Sequence, residues 1–218
     1  MQKRKLGTEG LEVSCIGLGC MGMSQSYGSA AERNDSESIK VIHRALELGI
    51  IFFDTAEIYG KGQTEKIVGL AIKKFDRKRL FIATKVWKDN LHYNDVIKSL
   101  ESSLKRLQTG YVDLYLVHYP NESIPIKETM EAMECLAEKG KIKAIGVSNF
   151  SIRDVKEAQK HLKKHKIVAN QIEYNLMKRN AEKDVINFCS SKGMMVIAYR
   201  PLAMGDLAQP DIELLNSI

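Results

Sequence analysis

Short apolar runs rich in β-branched residues recur along this chain, each followed by a stretch with apolar residues at three- and four-residue spacing. That alternation restricts the fold more than any other feature. The runs are Ser14 to Leu18, Ile51 to Asp54, Leu80 to Lys85, Val112 to His118, Ile142 to Ser148, Val168 to Glu173 and Met194 to Tyr199. Between them, Val41, Ala45 and Leu48, and then Val96, Leu100, Leu104 and Leu107, mark amphipathic helices. Start and stop signals accompany the helices: Asn94 before Asp95, and Gly110, Gly140 and Gly193 after Leu107, Leu136 and Phe188. One strand every ~30 residues, with one helix before the next, is the pattern of repeated βαβ units and parallel strands. Most runs are apolar on both faces, as a sheet covered by helices requires.

A closed barrel and an open doubly wound sheet both satisfy this periodicity, and the polar residues favour the barrel. Asp54, Lys85 and His118 each stand at the carboxyl end of a successive run, and Tyr59 lies a few residues into the loop after Asp54. Sites assembled from the ends of several strands belong to (β/α)8 barrels, whereas a doubly wound sheet gathers its ligand at one switch point. Taken singly, a helix cap, a solvated strand end and a core imidazole account for these residues. Their joint placement on one rim is what those plain readings fail to explain.

Gly17, Gly19 and Gly22 have the spacing of the dinucleotide-binding glycine fingerprint. That fingerprint needs a helix opening at its glycines, and no helical period begins here before about Asp35. The segment reads instead as a flexible loop over the barrel mouth, where small residues let backbone approach a ligand.

Composition removes other classes. With 44% hydrophobic, 28% charged and 7% aromatic residues over 218 positions, disorder, collagen and coiled coil are excluded. No apolar run approaches the ~20 residues of a membrane-spanning helix, and Met1 to Leu11 has no apolar stretch behind its basic residues. A cytoplasmic protein with one domain over residues 1–218 is expected. Cys15, Cys20, Cys135 and Cys189 are scattered and read as reduced thiols. The net charge of +6 helps attract anions without defining a nucleic-acid binder. The densest basic stretch, Lys156 to Lys166, reads as a solvated helix face over Val155, Ala158 and Leu162, with no interleaved aromatics. His161 and His165 have the spacing of helix-borne metal ligands, but no acidic or cysteine partner is nearby in sequence, and no metal is expected.

The segments LGTEGLEVSCIGLGCMG, FFDTAEIYGKGQTE, FIATKVW, DLYLVHYP, EKGKIKAIGVSNFS, NQIEYNLMKR and IAYRPLAMG, in this order, resemble the aldo-keto reductases over essentially the whole chain. The opening is most similar to the bacterial and plant branch of that family. The resemblance implies a (β/α)8 barrel behind an N-terminal β-hairpin and reduction of a small aldehyde or ketone by NADPH, with NADH as a substitute. It implies that Asp54, Tyr59, Lys85 and His118 carry catalysis. Hydride delivery to a carbonyl carbon builds negative charge on the oxygen, which must take a proton from a positioned acid. Tyr59 is expected to be that acid, its pKa lowered by the Lys85 ammonium, with Asp54 holding the ammonium and His118 orienting the carbonyl. Ser148, Asn149 and Gln171 resemble the contacts to the nicotinamide carboxamide, and Tyr199 the residue that stacks on its ring. Arg200, Pro201, Leu202, Met204, Gly205 and Asp206 match the loop around the pyrophosphate; Gly19, Cys20 and Met21 approach from the first loop, and Asp54 also borders the cofactor. Tyr27, Trp87, Tyr119 and His118 are expected to line the substrate pocket.

Relatives in this family continue for many residues past the seventh strand, whereas this sequence ends at Ile218. The expectation is a barrel lacking its eighth strand and helix, with unpaired edges that a homodimer or a rearranged terminus would cover. Two readings stay open: an active reductase, and a catalytically impaired barrel that binds nucleotide weakly or serves as a partner subunit. A Schiff-base aldolase using Lys85 is disfavoured because Asp54 would keep the amine charged.

Overall fold

The computed structural model describes residues 1–6, 10–24 and 34–208. Two strands, β1 (Lys3–Leu6) and β2 (Leu11–Ser14), form an antiparallel hairpin. Seven more form one parallel sheet in chain order: β3 (Gly17–Gly19), β4 (Phe52–Asp54), β5 (Phe81–Val86), β6 (Val112–Val117), β7 (Ile142–Ser148), β8 (Ile167–Glu173) and β9 (Met195–Tyr199). The sheet curls into a nearly closed barrel matching a (β/α)8 barrel short of its last unit. The outer layer is α1 (Asp35–Glu47), α2 (Gln63–Ile72), α3 (Tyr93–Leu107), α4 (Ile126–Glu138), α5 (Ile152–Lys160) and α6 (Val185–Ser191). Among the described residues no helix is long and apolar enough to cross a membrane.

The helices begin where side chains satisfy their first amides. Asn34 accepts from the Glu37 N–H, and Ser151 and Asp154 form a reciprocal capping box at α5. Gly140 and Gly193 follow α4 and α6 at φ +66° each, as helix stop signals do. Three boundary readings are corrected. Helix α3 starts two residues ahead of Asp95, after His92 rather than at Asn94. Its left-handed terminator is Gln108 at φ +54°, not Gly110. The run Ser14 to Leu18 straddles the end of the hairpin and the start of the barrel, so β3 begins only at Gly17.

The buried face of α3 is Val96, Leu100, Leu104 and Leu107, as the spacing predicts. In α1 the stripe is displaced: Ile42 and Ala45 are buried, whereas Val41 and Leu48 are exposed. Either set fits a 3.6-residue period, and packing selects the one facing the sheet. Helix α5 ends at Lys160, so His161 and His165 do not share a helical face. Contrary to the expectation that no acidic residue is near them in sequence, Glu157 stands beside His161 from four positions earlier on α5, whereas Glu134 reaches His165 through space from α4. Among the described residues no group of three or more metal-ligating side chains converges, and the cysteines are free thiols.

Alternate residues of a strand face the same side. The inward set contains Phe52, Phe81, Ala83, Leu114, Leu116, Ala144 and Ala169, and Leu6 and Val13 of the hairpin pack against it. Because Phe52 and Phe81 open their strands, the hairpin plugs the amino-terminal mouth of the barrel. Phe53, Ile82, Tyr115, Val117, Ile145 and Val147 have the opposite parity and pack in the second core, together with helix residues. Gly17 owes its small size to this packing: a Cβ there would lie 2.6 Å from the Phe52 ring. No α-helix opens at Gly17, Gly19 and Gly22, and α1 starts at Asp35, so the nucleotide fingerprint is a coincidence of spacing.

Candidate active site

The inward parity that fills the barrel with apolar side chains brings polar ones to its carboxyl end. Asp54 follows Phe52, Lys85 follows Ala83, His118 follows Leu116, Ser148 follows Gly146, Gln171 follows Ala169 and Tyr199 follows Ile197, each two residues on. The strand-end placement of these residues has one physical reason: a single alternation sets both core and site.

Lys85 is fully buried, and its ammonium donates to three acceptors: Asp54 Oδ2 at 2.7 Å, the Thr55 carbonyl at 2.8 Å and Tyr59 Oη at 3.3 Å. These match the three N–H donors of a lysine ammonium. Burial alone would lower its pKa, but the Asp54 charge and the Tyr59 hydroxyl outweigh burial and hold it above the ordinary value. An amine so held is no Schiff-base nucleophile, which removes the aldolase alternative's starting group. The other Asp54 oxygen accepts from Gln171 Nε2 at 2.9 Å, so β4, β5 and β8 are tied together through one carboxylate.

Tyr59 reaches Lys85 because the chain reverses sharply after it. Gly60, Lys61 and Gly62 take φ of +55°, +53° and +87°, three left-handed residues in a row. A Cβ at Gly60 would lie 2.5 Å from Ser24 Cβ, and one at Gly62 would lie 2.6 Å from the Arg106 side chain. The expected lowering of the Tyr59 pKa is not found. Burial raises it, Lys85 offsets only part of that, and the net direction is upward, so the phenol is protonated at neutral pH.

His118 is buried above Tyr59, the rings edge-on at 5.6 Å, and burial with the Lys85 charge lowers its pKa to about 3. It is a neutral imidazole at neutral pH. Trp87 stands edge-on to His118 at 5.2 Å and to Tyr119 at 5.9 Å, and Tyr119 stacks on His118 at 5.3 Å. Trp87 and Tyr119 thus form an aromatic wall beside the phenol and imidazole, and with His118 they are three of the four residues expected to line the pocket. Tyr27 lies outside the described residues.

The residues expected to meet the nicotinamide form a connected group on the same rim. Asn149, at φ +62°, donates through Nδ2 to the His118 carbonyl at 3.1 Å and to Ser148 Oγ at 3.0 Å, and accepts from Tyr199 Oη at 3.0 Å. Ser148 Oγ donates to the Gln171 carbonyl. Burial first, then the neighbouring Tyr119 and Glu173, push Tyr199 up to about 12. Cys20 differs from the expectation for the first loop: its side chain is wholly buried in the core, and burial and Asp54 push its thiol upward, so only its backbone can meet a ligand. Gly19 is open on its Cβ side and Met21 is partly exposed. Arg200, Pro201, Leu202, Met204, Gly205 and Asp206 are exposed beyond β9 in a tight turn, with Arg200, Met204 and Gly205 at positive φ.

Two contributors escape the sequence reading. The Thr55 carbonyl completes the Lys85 shell, and Glu57 accepts from the Trp87 N–H at 2.6 Å and from Asn90 Nδ2 at 3.1 Å. Glu57 stands inside the FFDTAEIYGKGQTE segment, but nothing in its spacing signals a partner thirty positions away.

Comparison with known proteins places the chain by family and fold. Residues 15–213 match the aldo/keto reductase family model. A probable aldo-keto reductase of Glycine max is 38% identical over 214 residues, and the aldo-keto reductase YhdN of Bacillus subtilis strain 168 is 40% identical over 215. The alignments cover 94% of this chain but 60% and 63% of those relatives, so the chain spans about three fifths of their length. Among solved structures, the thermostable aldo-keto reductase Tm1743 in complex with the inhibitor epalrestat superposes with a TM-score of 0.88 at 41% identity, over 94% of this chain and 74% of that one. An aldo/keto reductase from Klebsiella pneumoniae in complex with NADP and acetate superposes at 0.83 with 33% identity, over 97% and 74%. On family model, sequence identity and fold alike, the chain belongs to the aldo/keto reductase family.

Proposed function

We propose that this chain reduces a small aldehyde or ketone to the alcohol with NADPH, Tyr59 delivering the proton. The observation that carries the reading is the buried Asp54–Lys85–Tyr59 chain, with contacts of 2.7 and 3.3 Å, set beside the neutral His118. The residues present fit a nicotinamide: Ser148, Asn149 and Gln171 bring hydroxyl and carboxamide groups to the rim, and the partly buried Tyr199 ring ends the neighbouring strand. The bound cofactor supplies the hydride.

The rest falls to the chain's own side chains. Neutral His118 offers a hydrogen bond that orients the carbonyl without adding a cation, and Tyr59 Oη holds the proton that the developing alkoxide takes. Lys85 meets the resulting phenolate as a fixed charge, which lowers the cost of proton loss at the moment of transfer even though burial keeps the resting phenol protonated. Asp54 keeps Lys85 charged, and Gln171 keeps Asp54 aimed. Trp87 and Tyr119 form the wall against which the substrate's apolar group packs.

The test is loss of nicotinamide absorbance when the chain is mixed with NADPH, or NADH in parallel, and 4-nitrobenzaldehyde. Turnover by the parent and a drop on the order of 10² to 10⁴ in Tyr59→Phe are expected for loss of a general acid. Quenching of Trp87 emission by NADPH with no turnover in the parent would favour the alternative of a nucleotide-binding barrel without activity.

A further inference from the structure

We infer that Glu57 is a positioning residue that sets substrate selectivity, by clamping the Tyr59 loop to the loop that carries Trp87. The inference rests on the reductase reading of the site. The segment after β5 is a tight turn in which the Asn90 N–H donates to the Trp87 carbonyl at 2.9 Å. Glu57 Oε1 closes that turn from outside, accepting from the Trp87 N–H and from the Asn90 side chain. The Glu57 N–H in turn donates to the Lys85 carbonyl at 3.4 Å, so this residue is bonded to β5 through its backbone and to the following loop through its side chain. Amide-to-carboxylate bonds are the stronger kind, and a half-buried one holds its partner firmly.

Trp87 is the residue with most to lose from a loosened clamp. Its other hydrogen-bond anchor, Nε1 to Asp89 Oδ2 at 3.1 Å, is exposed, and its ring stands edge-on to His118 at 5.2 Å. The proton-transfer pair is bonded elsewhere: Lys85 to Asp54 and Thr55, Tyr59 to Lys85. Releasing Glu57 therefore moves the wall more than the chemistry. A bulky carbonyl substrate that packs on the indole feels the change, and a short aliphatic one does not.

Trp87 is the single tryptophan of the chain, so intrinsic emission reports on it alone. The experiment compares the parent, Glu57→Ala, Glu57→Gln and Asn90→Ala by acrylamide quenching of that emission and by kcat and KM for 4-nitrobenzaldehyde and propanal. Glu57→Ala is expected to raise the quenching constant about twofold and to lower the 4-nitrobenzaldehyde-to-propanal ratio of kcat/KM about fivefold, through KM, a size-discrimination effect of ordinary magnitude. Glu57→Gln keeps an acceptor and is expected to recover most of both, and Asn90→Ala to show a smaller change in the same direction. Parent-like quenching and ratio in Glu57→Ala, or an equal fall for both substrates with quenching unchanged, would overturn the inference. Should Glu57→Ala fail to fold, Asn90→Ala decides by the same two readouts, parent-like values of both overturning the inference. No turnover in the parent would sink the reductase reading, while quenching still decides whether the clamp exists.

Discussion

His118, buried beside the Lys85 cation, turns a structural observation into a pH dependence. An unfolded imidazole titrates near 6.5 and this folded one near 3, so between those values the unfolded chain binds the extra proton. Its contribution to stability is therefore intact above about pH 6.5 and is lost as the pH falls towards 3, at up to about 1.4 kcal/mol per unit. Thermal melts from pH 7 to 4 should show a shallower decline for His118→Gln than for the parent. Parallel declines would mean that the imidazole is protonated in the fold. The positions of Asp54, Tyr59, Lys85 and His118 are legible in the sequence because periodicity marks strand ends and loop starts, and inward parity converts them into neighbours. Thr55 and Glu57 are not, since one acts through its carbonyl and the other through partners distant in sequence. The direction of the Tyr59 shift is also illegible: sequence names the ammonium beside the phenol but not the burial that outweighs it.

The element that matters most is the reversal after Tyr59. Gly60 combines a positive φ with a neighbour that leaves no room for a methyl group, so Gly60→Ala carries both a backbone and a steric penalty. A loss of roughly 1–3 kcal/mol in stability is expected, with a fall in kcat because Tyr59 is displaced from Lys85. Lys61 bears a left-handed penalty with an open side chain. Lys61→Gly is expected to be neutral or stabilising by up to about 1 kcal/mol, which chemical denaturation of the two variants would check. Periodicity locates six of the seven barrel strands within about two residues, because buried parallel strands are apolar on both faces and stand out. It misplaces β3, a three-residue strand that begins and ends on glycine and merges with the hairpin end, and it selects the wrong stripe of α1, where two apolar faces compete.

Across the whole molecule, labour is divided between the two ends of the barrel. The hairpin closes the amino-terminal mouth with Leu6 and Val13, and the carboxyl ends carry Asp54, Lys85 and His118, so packing and the proposed chemistry occupy different layers of the same inward-facing rows. The central claim is that hydride and proton meet a carbonyl at the Tyr59, Lys85 and His118 cluster. Its most direct test is a single-turnover reaction with 4-nitrobenzaldehyde and NADPH deuterated at the transferring C4 position, followed by mass analysis of the alcohol. One deuterium at the carbinol carbon from the parent, and none over the same interval from Tyr59→Phe that still quenches on binding NADPH, is the predicted result. Unlabelled alcohol from the parent, or equal label from both chains, would contradict it.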